Sequence, residues 1–235
     1  MRHLNGYKIF ESKAEIDSIC RQYGIRNYTI GEDGLIDVDG LVNLSRNSVN
    51  TFPLKFGTVT GSFYCSHNEL TSLSGCPSKV GGDFVCQNNK LTNLEYSPQY
   101  VGEDFHCADN KLTSLSGALK TIDGDFFCNN NKLTSLEGGP TTVNGSLYCY
   151  NNKITSLYGL PEIANSFYCN SNPIFSLVYP FIDIKNRNNF IELFNDTDII
   201  QGDKVIYDRL IWFYEEIGLD GINIDDIDKY YTIIR

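Results

Sequence analysis

The sequence predicts a solenoid of about seven ~21-residue turns built on a parallel β-sheet, with a helical cap at each end. Three observations predict it. Cys65, Cys86, Cys107, Cys128 and Cys149 stand at intervals of 21, with Cys169 one residue early. The same offset carries columns of Phe (Phe63, Phe84, Phe105, Phe126, Leu147, Phe167), Asn (Asn68 to Asn172) and Leu or Ile (Leu70 to Ile174, Leu73 to Leu177). Glycine also recurs at fixed spacing, at Gly61, Gly82, Gly124 and Gly145 before each Phe-x-Cys and at Gly75, Gly117, Gly138 and Gly159 after the last Leu.

Taken in order, residues 11 to 23 read as an amphipathic helix, with Ser12 and Glu15 in a capping-box arrangement, Ile16, Ile19 and Cys20 on one side, and Gly24 as its stop. Helix and lead-in strand make an N-terminal cap over 1–35, the solenoid covers 36–178, and a helical, acidic cap covers 179–235. The first turn is degenerate: Val38, Val42, Leu44, Asn47, Val49 and Phe52 occupy the positions of Val59, Phe63, Cys65, Asn68, Leu70 and Leu73. In the six clear units the period of two through Phe-x-Cys marks a strand with one buried face, followed by a turn and a second buried edge. One unit cannot bury that face alone, whereas stacked copies can. The Asn column suits a chain reversal, where a side-chain amide satisfies backbone groups that the bend leaves unpaired. Beyond Leu177, residues 186 to 196, 204 to 217 and 223 to 234 read as helices, the second carrying Ile206, Leu210, Phe213 and Ile217 at helical spacing.

Composition bounds the function. Hydrophobic residues at 41% and aromatics at 13% suffice for a sizeable core, while a net charge of −10 argues against a nucleic-acid backbone or an anionic bilayer as main partner. Twelve acids against six bases from Val178 onward concentrate that charge at the C-terminal end. No run approaches the ~18 apolar residues of a membrane span, and the first residues lack the apolar core of a signal peptide. The expectation is a cytoplasmic protein with reduced thiols. No cofactor is expected.

Cysteines stacked at ~4.8 Å cannot converge on one tetrahedral ion and sit beyond the usual Cβ separation of a disulfide, so the column reads as buried, inert apolar matter. Alternation then turns Asn43, Tyr64, Val85, His106, Phe127, Tyr148 and Tyr168 outward, an aromatic stripe that core demand does not explain. Tyr150 should join Tyr148 and Tyr168 in a local cluster, and truncating Tyr148 or Tyr168 should barely touch the fold. Beside the stripe run Asp83, Asp104 and Asp125, which either meet a basic partner or bond nearby backbone N–H groups. Two further columns vary from copy to copy, where specificity could be written: Ser66 to Asn170, and His67, Asn88, Asp109, Asn130, Asn151 and Ser171. Lys90, Lys111, Lys132 and Lys153 read as a solvated basic edge. His106 between Asp104 and Asp125 is the only acid/base cluster the sequence assembles, and a remote enzymatic reading rests on it alone.

The spacing Phe-x-Cys-x-x-Asn-x-Leu, as in "VGGDFVCQNNKLTNLEYSP" and "GDFFCNNNKLTSLEGGP", resembles the leucine-rich repeat in its short bacterial and viral style. Together with the leader "YTIGEDGLIDVDG" it is similar to repeat proteins common in tailed bacteriophages. The resemblance covers roughly residues 25 to 180 and implies a concave strand surface that meets a protein partner. On this basis Tyr64, Val85, His106, Phe127, Tyr148, Tyr150 and Tyr168, with Asp83, Asp104 and Asp125, form the expected binding set of a non-enzymatic protein. The partner would be a protein, with a basic surface suiting the charge, such as a host immune factor blocked in the host cytoplasm. The alternative is a structural or virion assembly component.

Overall fold

A computed structural model describes residues 12–163, 165–178, 187–219 and 224–235. Each turn of the chain lays down two short parallel strands rather than the single one the sequence suggests. The Phe-x-Cys segments form a seven-stranded front ladder, from Val42–Asn43 through Phe63–Tyr64, Phe84–Val85, Phe105–His106, Phe126–Phe127 and Leu147–Tyr148 to Phe167–Tyr168. Register is kept residue for residue, with Phe84 opposite Phe63 and Phe105, so the predicted columns are physical ones. The back ladder is built on Val59, Val80, Val101, Ile122, Val143 and Ile163, all buried. It runs as a five-stranded sheet that begins with the antiparallel hairpin Tyr28–Ile30 and Ile36–Val38, and as a separate three-stranded sheet from Thr121–Ile122 to Glu162–Ile163. The whole is a β-solenoid of about six turns at ~21-residue spacing.

The core lies between the two ladders. Phe63, Phe84 and Phe105 are wholly buried, as are Cys65, Cys86, Cys107, Cys128 and Cys149, with Leu70, Leu73, Leu94, Leu112 and Leu133 closing the third side. Neighbouring core phenylalanines contact one another at centroid separations between 5.2 and 6.0 Å. Burying one such ring stabilises by roughly 2–3 kcal/mol, so the Phe column is a large apolar contribution. The degenerate first turn obeys the same register, with Val38 opposite Val59, Val42 opposite Phe63 and Leu44 buried where later turns place Cys.

Close stacking explains the glycines. A Cβ on Gly145 would stand 2.6 Å from the backbone of Gly124 one turn earlier. At Gly159 the φ is +78° and a Cβ would collide with the Glu137 nitrogen, so conformation and space both demand glycine. Tyr96 is the exception in that second column: it holds φ +66° and is 67% exposed. A left-handed conformation costs a bulky L-residue roughly 1 kcal/mol.

Every turn is stapled to the one before it through its asparagine. Asn152 donates from Nδ2 to the Cys149 carbonyl of its own turn at 3.0 Å and to the Cys128 carbonyl of the preceding turn at 3.1 Å. Its Oδ1 accepts from the Leu133 N–H of the preceding turn at 3.0 Å. Asn89, Asn110, Asn131 and Asn172 repeat the arrangement with Leu70, Leu91, Leu112 and Ile154. Asn68 does the same for the first turn, accepting from Asn47 and Val49. Only a primary amide offers both a two-proton donor and an acceptor on one short arm, which accounts for the unbroken Asn column.

The residue before each ladder asparagine has positive φ: His67, Asn88, Asp109, Asn130, Asn151 and Ser171 all lie between +54° and +57°. The variable column is therefore constrained by conformation, since Asn, Asp and His are enriched among non-glycine residues in the left-handed region.

At the N-terminal side the helix is Lys13–Gln22, with Ser12 Oγ accepting from the Glu15 N–H at 3.3 Å and Ile16 and Cys20 buried against the first turn. The expected start at residue 11 lies outside the described residues. The C-terminal segment departs from the helical expectation. Helices Arg187–Asp196 and Tyr207–Glu216 are present, but Lys204–Ile206 is a strand, and Ile224–Asp228 is a short helix followed by a strand at Thr232–Ile234. With Ile200–Gln201 these strands make a three-stranded sheet. β-branched runs at Val205–Ile206 and Thr232–Ile234 prefer strand, and cross-strand pairing overrides the helical spacing read from flanking residues. The buried Tyr214 hydroxyl donates to the Leu177 carbonyl at 2.9 Å and Tyr231 donates to Thr155 at 3.0 Å, which fastens this segment to the last turns.

Asn152→Ala should destabilise by about 2 kcal/mol or more, because it orphans the buried Leu133 N–H and takes one of two amide donors from each of the Cys128 and Cys149 carbonyls. Asn151→Gly, one residue away but exposed and left-handed, should stay within about 1 kcal/mol of wild type, and Tyr96→Gly should be neutral to stabilising. Denaturant unfolding of the three variants checks the ranking.

Candidate functional site

Because Phe and Cys point inward, the residue between them stands on the outer face of the front ladder, and in-register pairing brings successive rings one above another. His106, Phe127, Tyr148 and Tyr168 form one stack. Centroids are 4.2, 4.4 and 4.7 Å apart and interplanar angles are 6°, 6° and 15°. The rings cover each other's faces and show their edges to solvent, which is why the first three are only half-buried while the last is 44% exposed. One end of the stack meets Val85, the strand neighbour of His106, and the other end is the outer face of Tyr168.

The structure corrects two expectations about this face. Val85 is buried at 8% exposure rather than open to solvent, since a short side chain between the larger Tyr64 and His106 is covered by both. Tyr150 lies in the flanking column, half-buried, and the ring that stacks on Tyr148 across the strands is Tyr168. Tyr148 is itself packed between Phe127 and Tyr168, so its truncation disturbs two ring contacts and is not neutral for the fold.

Asp83, Asp104 and Asp125 have a structural task. The Asp83 carboxylate accepts from the Asp104 N–H at 3.2 Å, Asp104 from Asp125 at 2.8 Å, and Asp125 from Ser146 at 2.7 Å. Serines occupy the ends: Ser62 Oγ accepts from the Asp83 N–H and Ser146 Oγ from Ser166. The serines were overlooked in the sequence because only the charged members of the column stood out, although the shared ability to accept from the next turn was the common signal. Asp83 and Asp104 each keep a second oxygen on the aromatic side. Asp83 Oδ2 is 3.5 Å from the Tyr64 hydroxyl, and Asp104 Oδ2 is 3.7 Å from His106 Nε2.

Burial against the stack lowers the pKa of His106 and outweighs the opposing pull of Asp104, Asp83 and Asp125. At neutral pH the ring is therefore uncharged and suited to stacking. Tyr148 is shifted upward, first by burial and then by the Asp125 charge. The eight cysteines are free and buried, and burial raises the thiols of Cys65, Cys86, Cys107, Cys128 and Cys149 above the usual range. Among the described residues no group of His, Cys, Asp and Glu is placed to hold a metal ion, and no helix is long and apolar enough to cross a membrane. Lys90 pairs with Glu69 at the solenoid edge, and Lys111, Lys132 and Lys153 continue that exposed column.

The chain matches no protein-family model and no curated protein.

The folded chain binds the His106 proton less readily than the unfolded chain, so its contribution to stability is complete above the ordinary value of 6.5 and declines as pH falls through it. His106→Phe, which extends the stack, should therefore lose less stability than wild type between about pH 7.5 and 5. An NMR titration placing the His106 midpoint at or above 6.5 contradicts this. A thiol reagent should leave the cysteine column unmodified until the protein is unfolded.

Proposed function

We propose that the chain is a non-enzymatic protein-binding module of the leucine-rich-repeat kind, its terminal segments serving as caps and its ring-bearing sheet face docking a partner protein. The supporting observation is the stack from His106 to Tyr168: four rings on the side of the ladder that contributes nothing to the core, edged by carboxylates. Rigid aromatics that need no ordering on association, with polar groups at their rim, are what protein interfaces concentrate. Following the phage resemblance, the partner is a host factor with a basic surface, and binding blocks it by occupying its surface in the host cytoplasm.

Photo-crosslinking tests the reading. A photoreactive residue at Gln87 or Asn170, beside the rings, should give one protein adduct in host-cell extract, whereas one at Lys79 or Glu162 on the back ladder should not. Adducts arising only from the back ladder, or only from the C-terminal segment, overturn it. Tyr148→Ala should weaken the purified complex by about 2 kcal/mol or more while costing about 1–3 kcal/mol of stability for two lost ring contacts. Both are measurable on the folded variant by calorimetry and denaturant unfolding.

A further inference from the structure

The ring column is flanked on the outer face by two others at the same spacing, one running from Leu41 to Ser166 and one from Ser45 to Asn170. Together the three columns hold Asp83, Asp104 and Asp125 and not one lysine or arginine. The carboxylates are not equivalent. Asp83 and Asp104 each turn their second oxygen toward Tyr64 or His106, but among the described residues Asp125 Oδ2 has no partner. A second open position lies at the end of the stack. Tyr168 has a ring above it on one side only, and its other face is the largest aromatic surface left on this sheet.

A group that continues the stack must be planar, and on a face with carboxylates and no cations it should be positive. A guanidinium meets both conditions, because it stacks on aromatic faces and also forms paired bonds with carboxylates, whereas an ammonium does only the second well. The layer beyond Tyr168 lies three strand steps from Asp125, about 14 Å at the usual ~4.8 Å spacing.

We propose that this face seats an arginine-bearing segment of the partner, laid along the solenoid axis. One guanidinium stacks on Tyr168 as the next layer of the ring column, and another, further back along the segment, bonds the open carboxylate oxygen of Asp125. The proposal rests on the docking reading above and specifies the chemistry it recognises.

Calorimetry with the amidated peptide Arg-Pro-Pro-Arg-Pro-Pro-Arg and its lysine counterpart tests it. The arginine peptide should bind at least tenfold more tightly than the lysine peptide. Tyr168→Ala should remove that margin, Tyr168→Phe should keep it, and Asp125→Asn should weaken the arginine peptide several-fold. Asp225→Asn with Asp226→Asn, in the C-terminal segment, should change nothing. Equal affinity for the two peptides, or indifference to Tyr168→Ala in a variant with wild-type circular dichroism, means bulk charge attraction and overturns the proposal. If neither peptide binds while the Gln87 and Asn170 adducts persist and fall with Tyr148→Ala, the arginine assignment is wrong and the docking face stands. If those adducts are missing as well, both readings fall together.

Discussion

The structure depends on one short side chain used in both senses at once. A chain that reverses direction every few residues strands backbone groups at each bend, and those groups lie against a core that excludes water. The ladder asparagines resolve this by donating to two cysteine carbonyls and accepting from a backbone N–H of the preceding turn. A carboxylate could accept but not donate, and glutamine would place the amide too far out. With the amide in place, the preceding residue must take left-handed backbone, the cysteine must point inward, and the next turn must stack in register. Strand length, core composition and bend conformation all follow from that bond pattern.

The same register that builds the core builds the outer face. In-register stacking is indifferent to chemistry: it superposes phenylalanines inside, where 5–6 Å contacts fill space, and superposes His106, Phe127, Tyr148 and Tyr168 outside, where they stack face to face. The aromatic face is thus rigid for reasons internal to the solenoid. Asp83 and Asp104 likewise serve two sides, one oxygen holding the next turn and the other directed to the rings. A charged column that is part of the scaffold can also shape what approaches it.

The columns were legible because a 21-residue period over six copies leaves little ambiguity about which residues stack, and the inward and outward assignment followed from alternation through Phe-x-Cys. The role foreseen for the asparagines is the one the hydrogen bonds display. The back ladder was not read because its strands are two residues long in most turns, too short for alternation to register, and Val59 and its successors passed as part of the front pattern. In the C-terminal segment, Val205–Ile206 and Thr232–Ile234 abut genuine helices, and helical spacing bleeds across such a boundary when no glycine or proline marks it. At the site, the position of each ring was legible, but the burial of Val85 depends on the size of its two neighbours across the strands, which no single-strand pattern records.

The amide staple also has a direction. Each asparagine serves the turn before it, so a cut that removes later turns leaves behind the main-chain N–H it capped, while the cysteine carbonyl it shared keeps the asparagine of its own turn. A cut that removes earlier turns leaves an unmet side-chain oxygen, which a single codon change can replace, together with main-chain N–H groups that donated backward, such as that of Lys153 to the Leu133 carbonyl. The natural first turn already illustrates the repairable edge: Asn47 is exposed and its amide folds back onto Ser45 of its own turn. Shortened or spliced versions of this solenoid therefore need a cap at either cut, and a recombination event that trades whole units would leave chemically different scars at its two edges.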